Sequence, residues 1–180
     1  MWVLVQNNEI EKIFSYPKGF ILNSNQYSKD VFTKWSLEEK KTIGIYEVVF
    51  DNSNYKDEKW YINTNQSFKF VEGVVTASFG NATPKVIEDL KIKLIKTIKK
   101  QAGELLTPTD WCIIKASEIV SYSVPTDITT FRTSVRTRLN EMKIAITNAT
   151  DTAALEALHT YTIVDGVQSR PLGELPILES

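Results

Sequence analysis

The sequence predicts an α+β protein: a small N-terminal antiparallel β unit followed by a long helix, a short extended segment and a helical C-terminal region. Two observations carry that prediction. Up to residue 82 the apolar residues fall in short runs or alternate with polar ones, which is strand period, and from Asn81 they recur every three or four residues, which is helix period. Composition agrees with a folded chain: 42% of the 180 residues are apolar and 24% charged, with only seven glycines and six prolines. That length exceeds the common size of one domain without reaching two full-sized ones. The expected division is a β-rich domain at 1–82, a helical region at 83–160 and an extended C-terminal tail at 161–180.

The opening MWVLVQNNEIEKIF holds two apolar runs, Trp2 to Val5 and Ile10 to Phe14, around a polar QNNE in which Asn7 and Asn8 tolerate positive φ. This is a hairpin signal. Ser36 stands three residues before Glu39, the spacing of a reciprocal helix cap, and Gly44 then leads into the β-rich IYEVVF. Farther on, Glu72 and Gly73 offer a turn between SFKF and VVTASF.

In the second part, Thr83 and Pro84 read as an N-cap and a first helical residue. Behind them Ile87, Leu90, Leu94, Ile98, Ala102 and Leu105 define one apolar face, with Lys91, Lys93, Lys96, Lys99 and Lys100 assigned to the solvated one. A further helix is expected after Pro125, capped by Thr126, with Asp127 in its first turn. Along it Ile128, Phe131, Val135, Leu139, Met142, Ile146 and Ala149 form a near-heptad seam whose partner is either the helix after Pro84 or a second copy of the chain, a possible homo-oligomer through residues 128–149. Asp151 caps a shorter helix, TAALEALHTY. Beyond it Pro171, Gly173 and Pro176 break regular structure, leaving Leu172, Leu175, Ile177 and Leu178 as an apolar tail in need of a groove.

Chemistry is sparsely provided for. With 21 basic and 22 acidic residues the formal charge is -1, so no global field draws the molecule to nucleic acid or to anionic lipid. The single histidine, His159, and the single cysteine, Cys112, lie far apart in sequence and supply neither a nucleophile–base pair nor a zinc ligand set. Glu88 with Asp89 and Glu38 with Glu39 are adjacent on helices and point to different faces, and no glycine-rich phosphate cradle occurs. No catalytic, cofactor or metal site is therefore expected. Cys112, within the apolar WCII, reads as a small buried hydrophobe in a reducing compartment. With no leader-like or spanning segment, the expectation is a soluble cytoplasmic protein. Trp111, between a turn and an apolar run, reads first as a core anchor; exposed, it would anchor an interface. Arg132 and Arg136 share a helix face, where internal pairing or exposure is the simpler expectation and partner contact the alternative.

The ordered set Leu105, Leu106, Asp110, Trp111, Lys115, Pro125, Phe131, Arg132 and Arg136 resembles the C-terminal region of tailed-phage tail assembly chaperones, including tail-fibre assembly proteins. In that family a helix ends in paired leucines, an Asp-Trp turn follows, and after a proline a helix opens on an aromatic-Arg pair with a second Arg four residues on. The likeness covers roughly residues 95 to 142. Phe131 stands where Tyr is commoner and Lys115 where Arg is commoner, which loses a hydroxyl and a forked donor. MWVLVQNN, GIYEVVFD and the closing RPLGELP are also similar to proteins of phages of aquatic bacteria. The resemblance implies a non-enzymatic chaperone, without cofactor, that works in the host cytoplasm and binds a tail-fibre or other tail polypeptide. Trp111, Phe131, Arg132 and Arg136 would organise that contact, and the tail around Leu172 and Leu175 would dock. The alternative it leaves open is a permanent virion part of the tail, fibre adaptor or baseplate.

Overall fold

In a computed structural model, which describes residues 1–178, the chain divides into two units, Met1–Thr83 and the residues from Pro84 onward. Secondary structure follows the α+β pattern.

The first unit is built on a five-stranded sheet. Trp2–Gln6 (β1) and Glu9–Phe14 (β2) pair antiparallel through a turn in which Asn7 and Asn8 have φ of 51° and 63°. Asn is among the few side-chain-bearing residues that tolerate this left-handed geometry, and the two-residue turn matches the twist of the strands it joins. A second hairpin, Phe20–Leu22 (β3) with Asn25–Tyr27 (β4), turns on Asn23 and Ser24 in the same way. Two short helices follow, Asp30–Thr33 (α1) and Leu37–Thr42 (α2).

The α2 cap is reciprocal: Ser36 Oγ accepts from the Glu39 amide at 3.2 Å, and the Ser36 amide donates to Glu39 Oε2 at 2.7 Å. Ser36→Ala should cost about 1 kcal/mol of first-unit stability, read by denaturant titration. Gly44, at φ 78°, then turns the chain into Ile45–Asp51 (β5) so close to Val5 that a Cβ would meet its carbonyl oxygen. The two-residue strand Tyr61–Ile62 (β6) precedes the hairpin Gln66–Val71 (β7) and Val74–Phe79 (β8), whose turn uses Glu72 and Gly73 at φ of 49° and 79°.

Strand order is β2-β1-β5-β8-β7. The sheet is mostly antiparallel, as expected, in its β1–β2, β1–β5 and β7–β8 pairs, and only at its centre do β5 and β8 run parallel, with Val48 opposite Val75. A parallel neighbour needs a long crossover, and residues 52–73 provide it. The outer strands β2 and β7 approach one another, so the sheet curls towards closure around Val3, Val5, Val48, Val75 and Ala77. Its other face carries Leu4, Phe14, Phe20, Phe32 and Ile45, with Phe14 and Phe32 ring centroids 5.0 Å apart. β1 is thus buried on both faces, which explains its unbroken apolar run.

On that second face Glu47 Oε1 accepts from Lys40 Nζ at 3.0 Å and from Trp2 Nε1 at 3.2 Å, and the Lys40 side chain is only 7% exposed. The Lys40 hydrogen bond outweighs partial burial and holds the Glu47 carboxyl below its ordinary value of 4.5. A carboxyl depressed in the folded state contributes stability that is complete above the unfolded-state value and is lost as pH falls through the folded one. Glu47→Gln should therefore be less stable than the parent at neutral pH, by under about 1 kcal/mol because the carboxylate is half exposed. The gap should close in strong acid, as urea midpoints across that range would record.

The second unit is helical. At the boundary between the units Thr83 and Pro84 form a two-residue strand (β9), and the long helix Ile87–Leu106 (α3) starts three residues later than the sequence suggested, at a Val86 cap with no side-chain bond. The Thr-Pro pair is a boundary signal, but extended φ/ψ at Thr83–Pro84 delays the first turn. Leu90, Ile98 and Ala102 are buried as the periodicity requires, whereas Lys91, assigned to the solvated face, is half-buried beside Glu88 at 3.5 Å. A 3-10 turn at Thr107–Thr109 leads into Asp110–Glu118 (α4), so the apolar run from Trp111 is helical and only residues 119–125 are irregular.

Thr126–Asn148 (α5) follows, with Pro125 rather than Thr126 at the cap position. Thr152–His159 (α6) is capped by Asp151, whose carboxylate accepts from the Ala154 amide at 2.7 Å. The seam on α5 packs against α3 within the chain: Ala102 meets Phe131 and Val135, with Leu105, Leu106 and Leu139 around them, and Met142 and Ile146 are buried. It is not a free dimerisation surface. The tail expected to be extended from 161 contains a hairpin, Thr162–Val164 (β10) and Val167–Ser169 (β11), turning on Asp165 and Gly166 at φ of 52° and 78°. Among the described residues no helix is long and apolar enough to cross a membrane.

Candidate protein-binding surface around Trp111

Where α3 ends, its last carbonyls have no partner in the helix. Arg132, in the second turn of α5, supplies one: Nη1 donates to the Leu106 carbonyl at 3.0 Å and to Thr109 Oγ1 at 2.6 Å, and Nη2 meets Asp110 Oδ1 at 2.8 Å. The planar guanidinium fits this task because its donors lie in one fixed fork. Arg132 is 7% exposed, and the neighbouring Phe131 is buried against Ala102 and Val135. These two residues are therefore spent inside the molecule. They tie the start of α4 to α5 and do not themselves offer a contact surface.

What they hold in place is the outer side of α4. Trp111, expected as a core anchor, is 57% exposed, and the residue that turns inward is its neighbour Cys112. The reason is helical: consecutive side chains diverge by about 100°, and a nine-residue helix with one buried residue cannot place both inside. Trp111 shares its face with Ile114 one turn later, and Ile113, Ile119 and Val120 are also exposed. Lys115 lies over Tyr122 at 4.4 Å and at 5.9 Å from the Trp111 ring centroid, forming a cation between two aromatics. Burial pushes the Tyr122 phenol up, helped by a hydrogen bond with the Cys112 thiol. Arg136 is exposed one turn beyond Arg132.

Leu172 and Leu175 also fall differently from the expectation of a free docking tail. Leu172 is buried, its amide donating to the Leu158 carbonyl at 2.9 Å, and Leu175 packs half-buried against the Ala102, Phe131 and Val135 cluster. For these two leucines of the tail the groove is in their own chain, whereas Ile177 and Leu178 stay exposed. Sequence reasoning missed the group that clips it: Arg138 Nη2 donates to the Leu172 carbonyl at 2.7 Å and Nε to the Glu174 carbonyl at 3.3 Å. Thr109 and Tyr122 were missed as well. No spacing rule links Tyr122 to Cys112 or Thr109 to Arg132, because both meetings depend on the turns after α3 and α4.

Among the described residues no group of three or more His, Cys, Asp or Glu side chains is placed to hold a metal ion. The arrangement around α4 offers exposed apolar side chains, an exposed indole and one neighbouring cation, Lys115, on a braced helix, a combination of residue types enriched at protein interfaces. Comparison with known proteins returns no matching family model, no matching curated protein and no matching solved structure, so the reading of this surface rests on its own geometry.

Proposed function

We propose that this protein is a non-enzymatic tail assembly chaperone of a phage, acting in the host cytoplasm, and that it binds a tail-fibre or other tail polypeptide through the α4 surface around Trp111. One observation carries the reading. Seven of the nine residues on which the family resemblance rests come together, with Leu105, Leu106 and Phe131 in one cluster, Asp110 paired to Arg132, and Lys115 beside an exposed Trp111. Residues that co-occur in a fixed order in the sequence thus share one task, the rigid presentation of an apolar ridge. A rigid aromatic anchor loses little entropy on binding, which suits transient shielding of apolar surface on an incompletely assembled partner.

Coexpression with the tail-fibre polypeptide of the same phage tests the proposal. The expected result is a higher yield of native fibre trimer and co-purification of the fibre with this protein, together with its absence, by mass spectrometry, from mature particles. Stoichiometric presence in particles would instead make it a permanent tail component. An unchanged trimer yield with no co-purification would reject the chaperone reading.

A further inference from the structure

On α4 two side chains of opposite charge, Lys115 and Glu118, stand one turn apart and do not pair. Three other helical pairs at that spacing close, Lys41 with Glu38 at 2.9 Å, Lys91 with Glu88 at 3.5 Å and Arg138 with Glu141 at 2.8 Å. Among the described residues neither Lys115 nor Glu118 has an ion-pair partner. Lys115 is drawn to the Tyr122 and Trp111 rings, and Glu118, the last residue of the helix, is exposed. The other carboxylate of α4, Asp110, is committed to Arg132.

These charges lie within the apolar surface. At about 100° per residue Trp111, Ile114, Lys115 and Glu118 fall on one side of α4 while Cys112 turns inward. Ile113 on the flank is exposed, as are Ile119 and Val120 just past the helix end. Contiguous exposed apolar surface of this kind marks a contact site.

The charges specify what covers it. A fitting partner brings a carboxylate to Lys115, a cation to Glu118 and apolar side chains around both. A second α4 running antiparallel has these groups in that order. Across a two-fold axis, setting Lys115 opposite Glu118 of the other copy sets Glu118 opposite Lys115, and the same register brings Ile114 towards Ile119.

We propose that the α4 face is the two-fold contact of a weak homodimer, in which Lys115 of each copy pairs with Glu118 of the other and the exposed apolar side chains pack around the two pairs. Exposed ion pairs add little affinity and mainly fix register, so the apolar contact supplies the attraction. Five exposed apolar side chains fall short of the roughly 20–30 residues a side of a standard stable interface, so the dimer dissociates on dilution. One consequence rests on the proposed function: a second copy and a tail polypeptide compete for the same surface, and the dimer keeps that surface covered until the polypeptide arrives.

Sedimentation velocity on the full chain, with no other polypeptide present, tests the dimer. The average mass should rise from one chain towards two between low and high micromolar concentration. Trp111→Ala should weaken association by at least about tenfold. Lys115→Glu and Glu118→Lys each place like charges opposite one another twice in the dimer, and each should weaken it by at least about tenfold. The double variant restores opposite charges across the axis and should associate within about threefold of the parent. Recovery in the double variant also excludes a folding defect as the cause of the single losses.

A single-chain mass throughout the micromolar range, a dimer indifferent to Trp111→Ala, single charge changes without effect, or a double variant no better than the singles overturns the proposal. A monomer would leave α4 open to a tail polypeptide, so this failure is distinct from failure of the chaperone reading, which the coexpression experiment decides.

Discussion

Replacing Arg132 with leucine should lower the stability of the helical unit by about 3 kcal/mol, which for a unit of this size is a fall in melting temperature on the order of 10–20 °C. Leucine keeps the aliphatic packing, so the loss isolates the guanidinium. Three acceptors lose their donor together: the Leu106 carbonyl, Thr109 Oγ1 and Asp110 Oδ1. Thr109 can still donate to the Leu106 carbonyl at 2.8 Å, so the carbonyl is not stranded, and the greater part of the cost falls on the arrangement of the turn and on Asp110. Asp110 is half exposed, so Asp110→Asn alone should cost only about 1 kcal/mol. Arg132→Lys keeps the charge but not the fork and should fall between the two. A double-mutant cycle over Arg132 and Asp110 should return a coupling of about 1 kcal/mol. Helical circular dichroism follows the transition. An Arg132→Leu protein that melts within a degree or two of the parent would show that the turn does not depend on this network.

Much of the fold could be read from the chain because local chemistry and tertiary structure agree there. The Asn7-Asn8 turn, the Ser36 box, the Gly44 entry into β5, the Glu72-Gly73 turn and the Asp151 cap each depend on side chains within a few residues of one another. The α3 and α5 seams were legible for the same reason, since period alone identifies the buried face. Where reading failed, the deciding contact was distant or the local signal was ambiguous. The parallel pairing of β5 with β8 follows from how the sheet is ordered, which no window of sequence encodes. Thr83-Pro84 carries a start signal for a helix that begins three residues later. The hairpin at Asp165-Gly166 did carry a recognisable turn signal, but the prolines and glycine that follow made the whole tail read as irregular.

The proposed binding surface was half visible. Its members were named, but their division into brace and surface was not, because a helix through residues 110–118 determines that Cys112 turns in and Trp111 out. The same ordering explains why Arg132 and Arg136, one turn apart on α5, have different fates. Arg132 meets the acceptors at the end of α3, and Arg136 points to solvent.

That division makes Trp111→Ala the most discriminating variant for function. An indole 57% exposed, whose ring neighbours are Lys115 at 5.9 Å and Tyr122 at 6.4 Å, gives up little packing when removed. Stability should change by less than about 1 kcal/mol, against the 3–5 kcal/mol typical of a buried tryptophan. Affinity for the proposed partner, a tail polypeptide, should instead fall by at least about 2 kcal/mol, on the order of thirtyfold, as for the central aromatic anchor of an interface. Ile114→Ala, one turn along the same ridge, should reduce binding less, since isoleucine brings less area to the contact. Phe131→Ala makes the contrast: its ring is buried under the brace, so it should lose stability first and binding only as a consequence. Isothermal titration beside thermal melts separates the two behaviours. A Trp111→Ala protein that binds its partner as the parent does would move the interface off α4, and one that loses several kcal/mol of stability would return Trp111 to a structural role.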